Sequence, residues 1–123
     1  MMPPETPPAA DAVVCESTYG DRTHAKTDAM AELGDIIERT IQRGGTVVIP
    51  AFAVGRVQSL LYHLWLLKRA GRLGATPIFL DSPMAISATN LLRAHSDDHK
   101  LDAEAVEGSC AVATYTRDVA ASQ

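Results

Sequence analysis

The chain has 123 residues, 46% of them hydrophobic and 21% charged, with 11 Lys and Arg against 15 Asp and Glu, a formal net charge of −4. That length suits one globular domain or part of one, and the mildly acidic balance excludes a histone-like or polybasic nucleic-acid binder, leaving any such contact to a local patch, to backbone amides or to metal ions. The two cysteines, Cys15 and Cys110, make no C-x-x-C pair, which argues against a disulfide scaffold, a zinc ribbon or a thioredoxin-type site and fits a reducing cytoplasm.

Four of the seven prolines fall within the first eight residues, so residues 1–11 read as an extended linker or incoming loop ahead of an α/β domain over 12–123. There is no basic and apolar leader, and no apolar run near the ~20 residues of a membrane span, so neither secretion nor membrane insertion is expected. The run Ala12-Val13-Val14-Cys15 reads as a buried strand that ends in the polar loop 16–22. Over 27–43, Met30, Leu33, Ile37 and Ile41 recur at helical spacing, with acidic residues early and Arg39 and Arg43 late, before Gly44-Gly45. That pattern predicts an amphipathic helix whose charges suit its dipole.

Thr46-Val47-Val48-Ile49 reads as a second strand, ended by Pro50, and a small-residue loop then leads into a helix over 56–70 that Gly71 stops. Pro77-Ile78-Phe79-Leu80 predicts a third strand, and Ser82 stands as N-cap to a helix that starts at Pro83 and runs to about His95. Beyond it, a helical turn or two over 103–107, a strand over 111–115 and a helix from Arg117 onward are expected. Strands alternating with helices imply a parallel sheet with flanking helices, and in such sheets ligands lie beyond the C-terminal strand ends. Those ends are the loops 16–22, 50–56 and 81–83.

Three strings occur there in order: Glu16-Ser17-Thr18-Tyr19-Gly20-Asp21-Arg22-Thr23-His24, Ile49-Pro50-Ala51-Phe52-Ala53-Val54-Gly55-Arg56-Val57-Gln58, and Asp81-Ser82-Pro83-Met84-Ala85. Together they closely resemble the β-CASP region of metallo-β-lactamase-fold nucleases, the family of ribonuclease J and the mRNA 3′-end-processing endonucleases. The resemblance implies a two-zinc hydrolase that cleaves RNA phosphodiester bonds between its metallo-β-lactamase and β-CASP domains. It also implies an H-x-H-x-D-H motif that this chain lacks, since its histidines are only His24, His63, His95 and His99. The chain therefore reads as a piece of a β-CASP insert, about the first two thirds, catalytically silent alone. No metal ligand is assigned to it; zinc is expected in the full-length parent and not in this chain alone.

Under that resemblance Glu16 is the catalytic candidate, the acidic residue that orients a histidine of a later segment as general acid. The alternative for Glu16 is a cap on its own loop. Gly55 and Arg56 open a helix where free amides, the dipole and a guanidinium fork suit an RNA phosphate, with Gln58 on the same turn. Alternatively, Arg56 pairs with Asp81 or Glu16 and holds the crevice together. Ser17, Thr18 and Tyr19 offer hydroxyls, and Tyr19 a stacking face, to a substrate, or they only bond within their loop. Ser82 either touches substrate or only caps its helix. His95 and His99, four apart, read as a solvated helix end rather than a metal pair.

The helix from Val57 to Leu67 is apolar nearly all round, which predicts that Trp65, Leu66 or Tyr62 faces a segment outside this chain or a second copy, unless both its sides are buried within the domain. The expected partners are thus RNA, the metallo-β-lactamase domain of the parent and a homodimer mate, with no membrane. Two other readings stay open: a non-catalytic RNA-binding or scaffolding homologue, and a stand-alone module that binds an anion or nucleotide at Gly55-Arg56.

Overall fold

The computed structural model describes residues 5–23 and 26–116. Helix α1, Ala29–Gln42, starts where Asp28 accepts hydrogen bonds from the Met30 and Ala31 amides at 3.0 and 3.1 Å. Helix α2, Arg56–Arg69, follows Gly55 and ends at Ala70. Both run within two residues of the bounds that spacing and glycine punctuation predict. Next come strand β1, Phe79–Asp81, helix α3, Pro83–Ala94, a short 3-10 turn, Ser96–Asp98, helix α4, Ala103–Ala111, and strand β2, Thr114–Thr116. The architecture is α/β. β1 and β2 pair in parallel, Phe79 opposite Thr114 and Asp81 opposite Thr116, with α3 and α4 supplying the crossover that parallel neighbours need.

Two expected strands are not strands here. The runs 12–15 and 46–49 pair with nothing among the described residues, and Val13 and Val14 are 81% and 99% exposed. Their β-branched composition makes them competent to pair, but a strand is stable only beside a neighbour and under a covering layer. The strand expected over 111–115 begins instead at Thr114, because α4 continues through Ala111. The helix expected from Arg117 onward lies outside the described residues.

α2 is the centre of the packing. Its C-terminal half contributes Leu64 and Leu67 to a cluster with Ile37 of α1 and Leu73, against which Met30, Leu33, Ile41, Val47 and Ile78 also pack. Its N-terminal half contributes Val57 and Leu61 to a second cluster, with Ala85 of α3 and with Leu80, Val112 and Ala113 of the sheet region. Burial on two sides is why this helix is apolar nearly all round. Trp65 is half-buried, with its indole lying over Gly108 of α4, and Tyr62 and Leu66 are half-buried as well. Arg72 ties the end of α2 back to α1, binding Glu38 through Nε at 2.7 Å and Nη2 at 3.0 Å, and Asp35 through Nη2 at 2.6 Å. Arg93 and Glu107 pair between α3 and α4, which holds the Glu107 carboxyl below its ordinary range.

The two free cysteines differ in environment. Cys15 is exposed, whereas Cys110 is buried in α4 and burial pushes its thiol pKa up. Titration with a thiol reagent at neutral pH should therefore label one cysteine rapidly and the second only on unfolding in denaturant. Fast labelling of both in native buffer would mean that α4 is undocked.

Candidate functional site

The starts of α2 and α3 lie side by side, Gln58 of α2 reaching the Ala85 carbonyl at 3.4 Å and Thr89 Oγ1 at 3.0 Å in the helix that follows β1. Ser82 caps α3, its hydroxyl accepting from the Ala85 amide at 3.3 Å, and Pro83 occupies the first helical position. Gly55 turns the chain into α2 with φ of +78°, a conformation that an L side chain rarely adopts. The loop before it folds back on the helix: the Val57 amide donates to the Phe52 carbonyl at 3.3 Å and the Arg56 amide to the Val54 carbonyl at 3.0 Å.

Those bonds correct one expectation. The helix start was expected to present free amides to an anion, but the amides of Gly55, Arg56 and Val57 are all bonded within the chain, the first to Gln58 Oε1 at 2.7 Å. What the site offers an anion is the Arg56 guanidinium and the positive end of a 14-residue helix. Arg56 is exposed, and among the described residues no carboxylate pairs with it. Neither Glu16 nor Asp81 takes it up.

Glu16 lies in the other loop. Its carboxylate accepts from the Thr18 amide, and hydrogen bonding from Thr18 holds its pKa below the ordinary carboxylate value. The same loop is closed by the Gly20 amide on the Ser17 carbonyl at 3.0 Å and the Arg22 amide on the Tyr19 carbonyl at 3.1 Å. Tyr19 keeps its ring exposed, with the Arg22 guanidinium 5.7 Å from its centroid. Residues 5–23 are exposed throughout, and among the described residues no hydrogen bond or ion pair joins them to the helices. The structure thus brings Gly55, Arg56 and Gln58 together at the start of α2, with Gln58 reaching Ala85 and Thr89 of the helix that Ser82 caps, and leaves Glu16, Ser17, Thr18 and Tyr19 as a separate loop.

Two contributors escaped the sequence reading. Thr89, 1% exposed in α3, hydrogen-bonds Gln58, and its one signal is a hydroxyl on the buried face of a predicted helix. Phe52 is 87% exposed in the loop that leads to Arg56, and its carbonyl accepts from the Val57 amide. His95 and His99 do not form a helical pair: α3 ends at Ala94, and both ring nitrogens of His99 contact backbone, of Leu92 and Leu101. No group of three or more His, Cys, Asp or Glu among the described residues could hold a metal ion, so the residues described do not fit a zinc centre.

Residues 57–123, more than half of the chain, match the model of the Beta-Casp domain. The chain belongs to the Beta-Casp family. Relatives agree with that membership. A ribonuclease of Thermus thermophilus, TTHA0252, is 48% identical over 83 residues, covering 67% of this chain and 19% of that protein. Transcription termination factor FttA of Methanosarcina mazei is 38% identical over 101 residues, covering 76% of this chain and 16% of that protein. An RNase J-like protein of Methanocaldococcus jannaschii is 38% identical over 77 residues, 60% of this chain and 18% of that protein. The Beta-Casp chain described here spans less than a fifth of the length of each of these relatives. No solved structure matches it.

Proposed function

We propose that this β-CASP chain works as one wall of the RNA cleft in a metal-dependent nuclease that hydrolyses phosphodiester bonds. Arg56 carries the reading: it is an exposed guanidinium on a helix N-terminus, with no carboxylate ion-paired to it among the described residues. A planar fork in that setting grips a phosphate through two parallel hydrogen bonds. Ser82 caps the start of the neighbouring helix. The zinc ions implied by the family resemblance belong, in this reading, to a metallo-β-lactamase domain outside this sequence. Glu16 serves there as a positioning carboxylate for a histidine general acid that this chain does not contribute. Among the described residues no helix is long and apolar enough to cross a membrane, and two unpaired thiols suit a reducing cytoplasm.

A stand-alone anion-binding module is less well supported. Val14, Val48, Phe52, Phe79 and Met84 are all largely exposed, and a self-sufficient domain keeps such side chains covered.

Binding of a fluorescent single-stranded oligoribonucleotide to the chain, followed by anisotropy, tests the reading. Arg56→Ala is expected to weaken binding by about 10- to 100-fold, the range of a charge-assisted hydrogen-bond pair. Removing one phosphate contact should also flatten the logarithmic dependence on salt by about 0.7. Arg56→Lys retains the charge without the fork and should fall between the two. The chain alone should bind without cutting. Equal affinity of the wild type and Arg56→Ala would reject the role of Arg56.

A further inference from the structure

Gln58 was expected to touch substrate, yet its side-chain amide is occupied inside the chain. Oε1 accepts from the Gly55 amide at 2.7 Å, while Nε2 donates to the Ala53 carbonyl at 3.1 Å and to Thr89 Oγ1 at 3.0 Å, with the Ala85 carbonyl at 3.4 Å. The orientation of the amide is determined by its neighbours. Thr89 spends its hydroxyl proton on the Ala85 carbonyl at 2.8 Å, so its oxygen can only accept from Gln58. A flipped amide would also place an NH2 against the Gly55 N–H. One side chain therefore joins the loop 53–55 to a buried threonine of α3, immediately before Arg56.

We propose that Gln58 is a positioning residue for Arg56: its amide latches the loop to Thr89 and fixes where the guanidinium meets a phosphate. The proposal rests on the reading of Arg56 as a phosphate contact. Without the latch, Gly55 N–H and the Ala53 carbonyl lose their partner and Gly55, already in an uncommon backbone region, is free to leave it. Each RNA-binding event then has to order the loop first, and affinity falls although no contact to RNA has been removed.

Two observables on the same variants separate the latch from the phosphate contact: hydrogen exchange at the Gly55 amide and affinity for a single-stranded oligoribonucleotide. Gln58→Met preserves length and removes the amide; Thr89→Val removes the hydroxyl from the other end, and Thr89→Ser restores it. Gln58→Met and Thr89→Val are expected to speed Gly55 exchange and to weaken RNA binding by about tenfold, the scale of re-ordering one loop residue. Thr89→Ser should match wild type in both, and melting temperatures should not track affinity across the set. If Gln58→Met fails to fold, Thr89→Val against Thr89→Ser carries the comparison. Unchanged Gly55 exchange overturns the latch. Faster exchange with unchanged affinity, while Arg56→Ala still weakens binding, overturns the positioning role and spares the reading of Arg56. If Arg56→Ala binds as wild type does, or wild type binds no RNA, the reading of Arg56 fails and the positioning role falls with it; Gly55 exchange identifies that case separately.

Discussion

Leu67→Ala should destabilise the protein by about 2–5 kcal/mol, the range for deleting a buried leucine side chain beyond Cβ. Leu67 is 1% exposed and sits where the C-terminal half of α2 meets Ile37 and Leu73. The loss combines the transfer free energy of the removed carbons with a cavity, and the cavity closes poorly because Arg72 holds α1 in place from Glu38 and Asp35. Urea unfolding followed by circular dichroism measures it as a lower midpoint at unchanged slope. Leu91→Ala, at a position 62% exposed in α3, serves as the comparison and should stay within about 0.5 kcal/mol of wild type. Equal effects at the two positions would mean that the α1–α2 cluster is not the core.

Gly108→Ala should also destabilise, although alanine is the better helix former by about 1 kcal/mol. A Cβ at position 108 would stand 2.0 Å from Trp65 Nε1 and 2.4 Å from Cε2, closer than any real contact. Making room for the Cβ means moving a ring that has the Arg69 guanidinium 4.9 Å from its centroid and the Tyr62 ring centroid at 5.8 Å. Overpacking of this kind costs about 1–3 kcal/mol, and a displaced α4 would add to that, so the clash outweighs the propensity gain. The double variant Gly108→Ala with Trp65→Phe, whose smaller ring leaves space, should be more stable than the sum of the single effects. Strict additivity would show that the two residues do not touch.

How much of this was legible depended on how local the physics was. α1 and α2 were readable because their signals lie within or next to the element: the spacing of Met30, Leu33, Ile37 and Ile41, the acidic residues early and the basic ones late in α1, and the glycines at 44, 45, 55 and 71. Ser82 and Pro83 announced α3 for the same reason. The runs at 12–15 and 46–49 have strand composition, but pairing is a property of two segments, and no neighbour is supplied among the described residues. The pairing of β1 with β2, separated by two helices, was not readable for the same reason.

The candidate site divides along the same line. Gly55, Arg56 and Ser82 were legible as a turn, a helix start and a cap. The link from Gln58 to Thr89 spans 31 positions, and nothing in either neighbourhood points to the other. The occupied amides of Gly55, Arg56 and Val57 were likewise invisible, because they depend on how the loop folds back rather than on which residues form it. That Glu16 and Arg56 lie in unconnected parts of the structure could not be read from two motifs that are merely in order.

The Arg72 clamp has a consequence for the segment between the first two helices. Because α1 is fastened to the far end of α2, and Ile37 to Leu64 and Leu67 as well, the stretch 48–51 carries no load between them. All four of its residues are exposed. It can change length, path or pairing partner without loosening either helix, so evolution can rebuild the approach to Arg56 while the scaffold that holds Arg56 stays as it is.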